Sequence, residues 1–360
     1  MAGRYADVGV QTNEGLGLEA LLRSVRATET LRSGKVGRSL LEVGYFANVI
    51  DIGHGLGLAL STDGVGSKVM VAQLLGRYDT LGIDCVAMNV NDVICVGAEP
   101  VSMLDYIGIE QAEPSVLEAL GKGLQEGARQ AGINIVGGEI SQMKEMLRGA
   151  RPGSGLDLVG MCVGLVPVDR VNTGSEVVPG DVLLGLASSG LHSNGFSLAR
   201  QALFVTGGLE PGEHVAELGR GIGEELLEPT RIFVKPIRAL IERGLPVRAM
   251  LHITGDGLFN ITRIAAPVGF DIDSLPEPPP VFGLIQRLGR IEEAEMYRVF
   301  NMGIGFCVIV PETAAGDTQA ILSQHAVPSF VLGRATADPR RRIALLEKKL
   351  IGEAGRFRSI

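Results

Sequence analysis

Tryptophan is absent from the 360 residues, and cysteine occurs only four times, as Cys85, Cys95, Cys162 and Cys307. No two cysteines form a Cys-x-x-Cys pair, which argues against a zinc site or a thioredoxin-like redox centre. Each sits among apolar neighbours, as in "GIDCVAM" and "VGMCVGL". That is the setting of a small buried hydrophobe in a reducing compartment. Basic clusters are missing too, apart from Arg340–Arg342, which reads as part of a solvated tail. With a net charge of −8, the chain has no face expected to bind nucleic acid. No apolar run reaches the ~18 residues of a membrane helix. The start, "MAGRYADVGV", lacks the apolar core of a signal peptide. The expectation is a soluble cytoplasmic protein with neither a nucleic-acid nor a membrane partner.

Apolar residues make up 46% of the chain and charged residues 21%, a globular composition. At roughly 100–200 residues per domain, the length suggests two domains. Glycine is the abundant residue, at 50 positions. The glycines follow no period, which excludes collagen-like and low-complexity readings. They cluster at the ends of apolar runs, where backbone turns sharply or approaches a ligand.

The pattern predicts helices over 18–30, 67–75, 83–96 and 114–131. Pro114 stands at the start of the last and Gly132 at its stop. Strands are predicted at 56–62, 101–109, 133–138 and 156–166. A turn-rich stretch at 167–180 marks a boundary, dividing the chain into 1–170, 171–345 and a tail, 346–360. The second part restarts with a strand at 181–188, then the loop "SSGLHSNG" and a helix at 196–205. A helix is predicted over 229–244, with a kink at Pro236. There follow a strand at 247–254, helices at 257–265, 278–289 and 292–300, a strand at 303–311, a helix at 313–324 and a strand at 329–336. Consecutive strands with no helix between them favour α+β with mixed sheets over a doubly wound fold.

"STDGVGSK", Ser61–Lys68, has the residues of a phosphate cradle but not the spacing of a Walker A loop. In "GHGLGL", residues 53–58, the glycines precede a strand, where a Rossmann fingerprint follows one. Three carboxylates border apolar segments: Asp63, Asp92 and Glu139. Each alone reads as a cap or salt bridge. Together, beside glycines and asparagines, they suit Mg²⁺ with phosphate oxygens. In "SSGLHSNGFSL" a helix begins near Gly195, where backbone N–H groups attract anions. His192 in that loop is an acid–base or phosphate-contact candidate, with a surface histidine as the alternative. His54, His214, His252 and His325 have weaker cases, His54 being the most interesting of them. "HITGDGLFNI" repeats the strand–turn–helix pattern; a phosphate site and a helix cap by Thr254 or Asp256 fit it equally.

Taken together, "STDGVGSK", "GIDCVAMNVNDVICVGAEP", "LDYI", "VGGE", "SSGLHSNGFSL", "EPTRIFVK", "HITGDG" and "MYRVFNMGIGF" resemble the phosphoribosylformylglycinamidine cyclo-ligases, or aminoimidazole ribonucleotide synthetases. The resemblance runs from "YADVGV" to about residue 345. It implies a two-domain α+β subunit whose N-terminal strands form a barrel across a homodimer interface. Residues 1–170 then bind ATP and dimerise. It also implies ATP with Mg²⁺, a small ribonucleotide substrate, and ring closure in purine biosynthesis. Carried over residue by residue, Asp63 and Asp92 hold the metal, and Asp92 also acts in catalysis. Lys68 and the backbone of Gly64 and Gly66 take phosphate oxygens, with Asn91, Gly138 and Glu139 completing the nucleotide set. His192 and Asn194 act near the reacting amide, His192 as proton carrier. Ser193, Thr254, Gly255 and Gly257 meet the substrate.

The chain departs from that family at four places. Tyr45–Asn48 is bulkier than the usual Gly-rich segment, Gln142 replaces an acid, Asp256 replaces glycine, and Leu191 replaces proline. These bear on the substrate more than on the fold. Two alternatives remain beside the main reading. One is a divergent paralogue acting on a related amide or small molecule. The other is a non-catalytic nucleotide-binding dimer. Selenophosphate synthetase and the hydrogenase-maturation dehydratase fit less well, because no reactive cysteine stands near the start and the chain ends "RFRSI".

Overall fold

The computed structural model describes residues 16–360, so "YADVGV" lies outside the described residues. Helix α1 (Leu16–Ala27) leads to β1 (Asn48–Asp51) and β2 (Leu56–Gly64). Next come α2 (Val69–Leu75), α3 (Leu81–Cys95), β3 (Glu99–Ile109), α4 (Pro114–Ala131), β4 (Asn134–Gln142) and β5 (Leu156–Pro167). The five strands form one open sheet in the order β1-β2-β5-β3-β4, parallel only between β3 and β4. Glycines let α4 lie directly on α3. A Cβ at Gly82 would stand 2.1 Å from the Leu124 nitrogen. Gly132, at φ +76°, ends α4 in a left-handed cap.

The second half opens with β6 (Val182–Ala187) and α5 (Phe196–Arg200), which runs on into a π-helical turn. The short strands β7 (His214–Val215) and β8 (Arg220–Gly221) pair beside α6 (Ile222–Leu226) and α7 (Val234–Glu242). Then come β9 (Ala249–His252), β10 (Gly269–Ile272), α8 (Pro280–Gly289), α9 (Glu293–Val299), β11 (Ile304–Val310) and α10 (Ala315–Gln324). The chain ends with β12 (Ser329–Thr336), β13 (Ile343–Leu345), β14 (Leu350–Glu353) and β15 (Arg356–Ser359). An eight-stranded mixed sheet runs β15-β14-β13-β10-β12-β6-β11-β9. The fold is therefore α+β with two mixed sheets.

Helix α3 organises the molecule. It is apolar nearly all round, and all but two of its residues, Ile83 and Asp92, are buried. Such a helix needs neighbours on every side. The first sheet and α4 supply some, and β9 and α7 of the second half supply the rest. Its few polar residues thus sit at the junction of the halves.

Three expectations need correcting. The helix predicted over 229–244 begins only at Val234. Residues 229–233 are held out of helix because α3 takes their backbone groups, as described below. Pro236 falls in the first helical turn, where its missing N–H breaks no helical bond. Residues 346–360 do not trail as a tail, since β14 and β15 extend the second sheet by antiparallel pairing. Nor is Arg340–Arg342 simply solvated. Arg341 donates to the carbonyls of Thr262, Ile264 and Ala265, and Arg342 pairs with Asp338. The four cysteines are free and buried. Among the described residues no helix is long and apolar enough to cross a membrane.

Candidate active site

The end of β2 is fixed to α3 by one side-chain amide. Asn89 accepts from the Asp63 N–H at 3.0 Å and donates to the Asp63 carbonyl at 3.1 Å. Gly160, the strand neighbour of Asp63, leaves space for it, since a Cβ there would stand 2.7 Å from Asn89 Nδ2. The Asp63 carboxylate accepts from the Gly64 N–H at 2.7 Å and lies near Asp92. Burial first, then the Asp92 charge, pushes its pKa up to about 6. Asp92 reaches across to the second half, its Oδ1 lying 2.9 Å from His252 Nδ1. His252 is fully buried, and its Nε2 has no partner among the described residues. With Nδ1–H donated to a carboxylate, Nε2 is assigned as a bare acceptor.

Lys68 was expected to face phosphate, and the structure places it elsewhere. It is completely buried, with Nζ 2.9 and 2.8 Å from the two Asp84 oxygens. The same Nζ donates to the carbonyls of His192 at 3.2 Å and Glu228 at 2.7 Å. Three ammonium hydrogens are taken by protein, leaving none for a ligand. Asp84 also accepts from Thr230, at 2.8 Å from its N–H and 2.6 Å from its hydroxyl. Asn91 has a framing role as well. It donates to the Arg231 carbonyl and accepts from the Phe233 N–H, both at 2.9 Å.

The loop after β6 is held by this network. His192 adopts φ +62°, uncommon for a residue with a side chain. Its Nε2 accepts from the Ser189 N–H at 3.2 Å, which assigns the proton to Nδ1, buried and without a partner among the described residues. Burial, followed by the nearby His252, Lys68 and Arg231, holds its pKa well below the usual histidine value. A neutral, buried His192 therefore offers its Nδ1–H as a hydrogen-bond donor. Ser193 bonds Thr230, hydroxyl to hydroxyl, at 3.0 Å. Asn194 lies against the turn after β9. A Cβ on Gly255 would stand 3.3 Å from Asn194 Oδ1, and Asn194 Nδ2 is buried with no partner among the described residues.

That turn is fixed by Asn260, whose Oδ1 accepts from the Thr254 N–H at 2.8 Å while its Nδ2 has no partner among the described residues. Gly257 has φ +54° and is buried, because a Cβ there would stand 2.3 Å from the Tyr297 carbonyl oxygen. The Gly257 N–H is donated to the Thr254 carbonyl at 2.9 Å. Asp256 is paired with Arg263 at 2.6 Å, and that guanidinium lies 5.2 Å from the Phe46 ring centre. The negative charge that stands in place of the family's glycine is thus matched by a nearby cation.

The structure brings Asp63, Asp92, His192, Ser193, Asn194, Thr254 and Gly255 to the junction of the halves. Gly64 adjoins them, while Gly66 is exposed at φ +66°. Glu139 does not join them. Asp63, Gly160, Asp105 and Gly138 form one row across the sheet, and Glu139 belongs to the next row, beside Tyr106. Side chains in successive rows point to opposite faces. Gly138 instead makes room for Asp105, whose Oδ1 would stand 2.0 Å from a Cβ there. Among the described residues no three His, Cys, Asp or Glu side chains converge on a metal position. Asp63 and Asp92 offer two carboxylates, a donor set that suits Mg²⁺ when phosphate oxygens supply the rest. Sequence reasoning missed Asp84, Asn89, Thr230, Arg231 and Asn260, and ranked His252 low. The polar interruptions of α3 were the available signal.

Known proteins bear on this geometry. Residues 44–166 match the family model of the AIR synthase related protein N-terminal domain, and 178–345 that of the C-terminal domain. A phosphoribosylformylglycinamidine cyclo-ligase of Methanothermobacter thermautotrophicus is 43% identical over 325 residues, covering 90% of this chain and 92% of that one. Those of Methanocaldococcus jannaschii and Thermococcus kodakarensis are each 41% identical. They cover 97% and 94% of this chain, and 96% and 97% of their own. The chain belongs to the phosphoribosylformylglycinamidine cyclo-ligase family. The cyclo-ligase fold is shared more widely. The hydrogenase maturation protein HypE in complex with ATP superposes at TM-score 0.60 with 17% identity, covering 96% of this chain and 94% of that one. Thiamine-monophosphate kinase from Stenotrophomonas maltophilia K279a gives 0.59 with 19% identity, covering 90% and 94%.

Proposed function

We propose that the protein catalyses the ATP-dependent closure of formylglycinamidine ribonucleotide to 5-aminoimidazole ribonucleotide in de novo purine biosynthesis. The near full-length identity to curated cyclo-ligases supports the reaction. The observation that carries it onto this chain is the set of buried nitrogens at the junction with no partner among the described residues: His192 Nδ1, Asn194 Nδ2, Asn260 Nδ2 and His252 Nε2. Buried polar atoms without partners are rare in folded proteins and call for a ligand rich in oxygen and nitrogen. Three of the four are donors on the assignments above, which suits formyl and phosphate oxygens.

In the proposed reaction the formamide oxygen attacks the γ-phosphorus of ATP, and ADP leaves. The amidine nitrogen then attacks the formyl carbon. The C–O bond breaks, phosphate departs with that oxygen, and one proton is released. Mg²⁺, when bound with ATP, supplies charge neutralisation for phosphoryl transfer, and Asp63 and Asp92 would hold it. Asn194 donates to the substrate amide. His192, held neutral by burial, donates through Nδ1–H and so orients an oxygen. Ser193 and Thr254 border the substrate. Fixed donors of this kind need no reorganisation as charge develops.

Two of the four departures from the family are compatible with this reading. Asp256 is neutralised by Arg263, and Gln142 lies exposed at the sheet edge. We place the protein in the cytoplasm as a homodimer. Its four free buried thiols suit a reducing compartment. On the outer sheet face, Leu104, Tyr106, Met161 and Leu165 stand 36–40% exposed. A second copy laid on this face would close the two open sheets into the expected barrel. The test is an assay with ATP, Mg²⁺ and formylglycinamidine ribonucleotide, reading both ADP and aminoimidazole ribonucleotide. Binding of ATP without either product would overturn the proposal.

A further inference from the structure

The segment between α6 and α7 is irregular, yet nearly every residue of it is fastened. Lys68 takes the Glu228 carbonyl, Ser189 Oγ takes that of Pro229, and Asp84 takes the Thr230 N–H and hydroxyl. Asn91 takes the Arg231 carbonyl and the Phe233 N–H. These bonds come from both halves and fix Arg231 at the backbone. Its side chain is left differently. Half-buried, the guanidinium has no hydrogen-bond or ion-pair partner among the described residues. The acid whose charge acts on it, Glu228, is already paired with Arg220 at 2.8 Å. Thr230, the residue before it, meets Ser193 hydroxyl to hydroxyl at 3.0 Å, which sets Arg231 next to the loop carrying Ser193 and Asn194.

A half-buried cation with five donors and no hydrogen-bonded anion is costly unless a ligand completes it. We infer that Arg231 is a phosphate anchor of the junction site, binding phosphate oxygens of the ligand through paired charge-assisted hydrogen bonds. The guanidinium fork matches that geometry, and Lys68, with all three hydrogens taken, cannot. In this scheme the buried Lys68–Asp84 pair and Asn91 are positioning residues that hold the anchor rigid. The inference rests on the proposed reaction for its two phosphate sources, the ATP polyphosphate and the ribonucleotide 5′-phosphate.

Arg231→Met and Arg231→Lys separate the outcomes. Dissociation constants for ATP alone and for the ribonucleotide alone, by calorimetry, need no turnover. R231M is expected to weaken one of them by about 10- to 100-fold, with R231K recovering part of the loss. A rise confined to ATP assigns the polyphosphate, and a rise confined to the ribonucleotide assigns the monoester. Unchanged constants for both in R231M would overturn the inference. So would an equal weakening of both ligands by R231M and R231K accompanied by a lowered thermal midpoint, the mark of a structural role. If wild-type protein forms no product while ATP affinity still depends on Arg231, the reaction assignment falls and the anchor stands.

Discussion

Asp92 Oδ1 lies 2.9 Å from His252 Nδ1, joining α3 of the first half to β9 of the second across 160 residues of sequence. The carboxylate fixes the imidazole tautomer and also contributes charge beside Asp63. Asp92→Asn keeps the volume and removes both effects. It is expected to lower turnover by about 10²–10³-fold while the protein stays folded. Steady-state rates with a thermal melt check this, and wild-type activity in D92N would remove Asp92 from the mechanism.

Lys68→Met leaves Asp84 charged, buried and short of its cation. The expected loss is about 3–5 kcal/mol of stability, measured by urea unfolding. Because Lys68 has no donor left for nucleotide and acts only through the segment it holds, the ATP KM of whatever K68M protein remains folded should rise no further than that of R231M. A large KM effect at full stability would return Lys68 to the phosphate site.

Asp63 gives a pH signature in chelator-treated protein. Its folded pKa is raised from 3.8 to about 6, so the folded state binds its proton more tightly than the unfolded state does. The stability this brings is fully present below pH ~4 and is lost as pH rises through about 6. Asp63→Asn removes the ionisation. D63N should therefore exceed wild type by up to about 3 kcal/mol at pH 7, with the gap closing toward pH 4. Denaturant midpoints across pH 4–8 test the sign.

Gly305→Ala would place a Cβ 2.4 Å from His192 Cε1. The ring cannot swing freely, since Phe233 lies beside it at 6.3 Å between centres. A cost of about 1–3 kcal/mol is expected, together with reduced turnover as the His192–Asn194 loop shifts. Thermal midpoint and kcat measured together check both parts.

Met161→Glu sets a charge in the exposed apolar face of the first sheet. Sedimentation should show dimer converting to monomer with the subunit still folded. An unchanged dimer would move the interface elsewhere.

The sequence made some elements readable and concealed others, for physical reasons. α4 was legible to the residue because Pro114 and Gly132 act locally. β1, β10 and β13 are too short to show an alternation, and β14 and β15 sit among charged residues that read as a tail. Residues 229–233 carry helical composition, but α3, some 140 residues earlier in the chain, outcompetes it for their backbone groups. Lys68 misled in the same way. Its glycine neighbours suggested phosphate, while its true partner, Asp84, stands 16 residues on in a helix whose register spacing alone does not fix. Asp92 and the "GLHSNG" loop were found because polar residues inside apolar segments are conspicuous. His252 was not, because one histidine ending an apolar strand looks like core.

The fastening of α3 to both halves also sets an order of events on the ribosome. Asp84, Asn91 and Asp92 emerge early, but their partners Thr230, Phe233 and His252 follow 142–160 residues later. At about 5–20 residues per second, the helix waits roughly 7–32 s with its polar groups unmatched. The nascent first half is therefore the species that would lean on chaperones. Slowing translation between residues 100 and 230 would lengthen that exposure without altering a single contact of the finished enzyme.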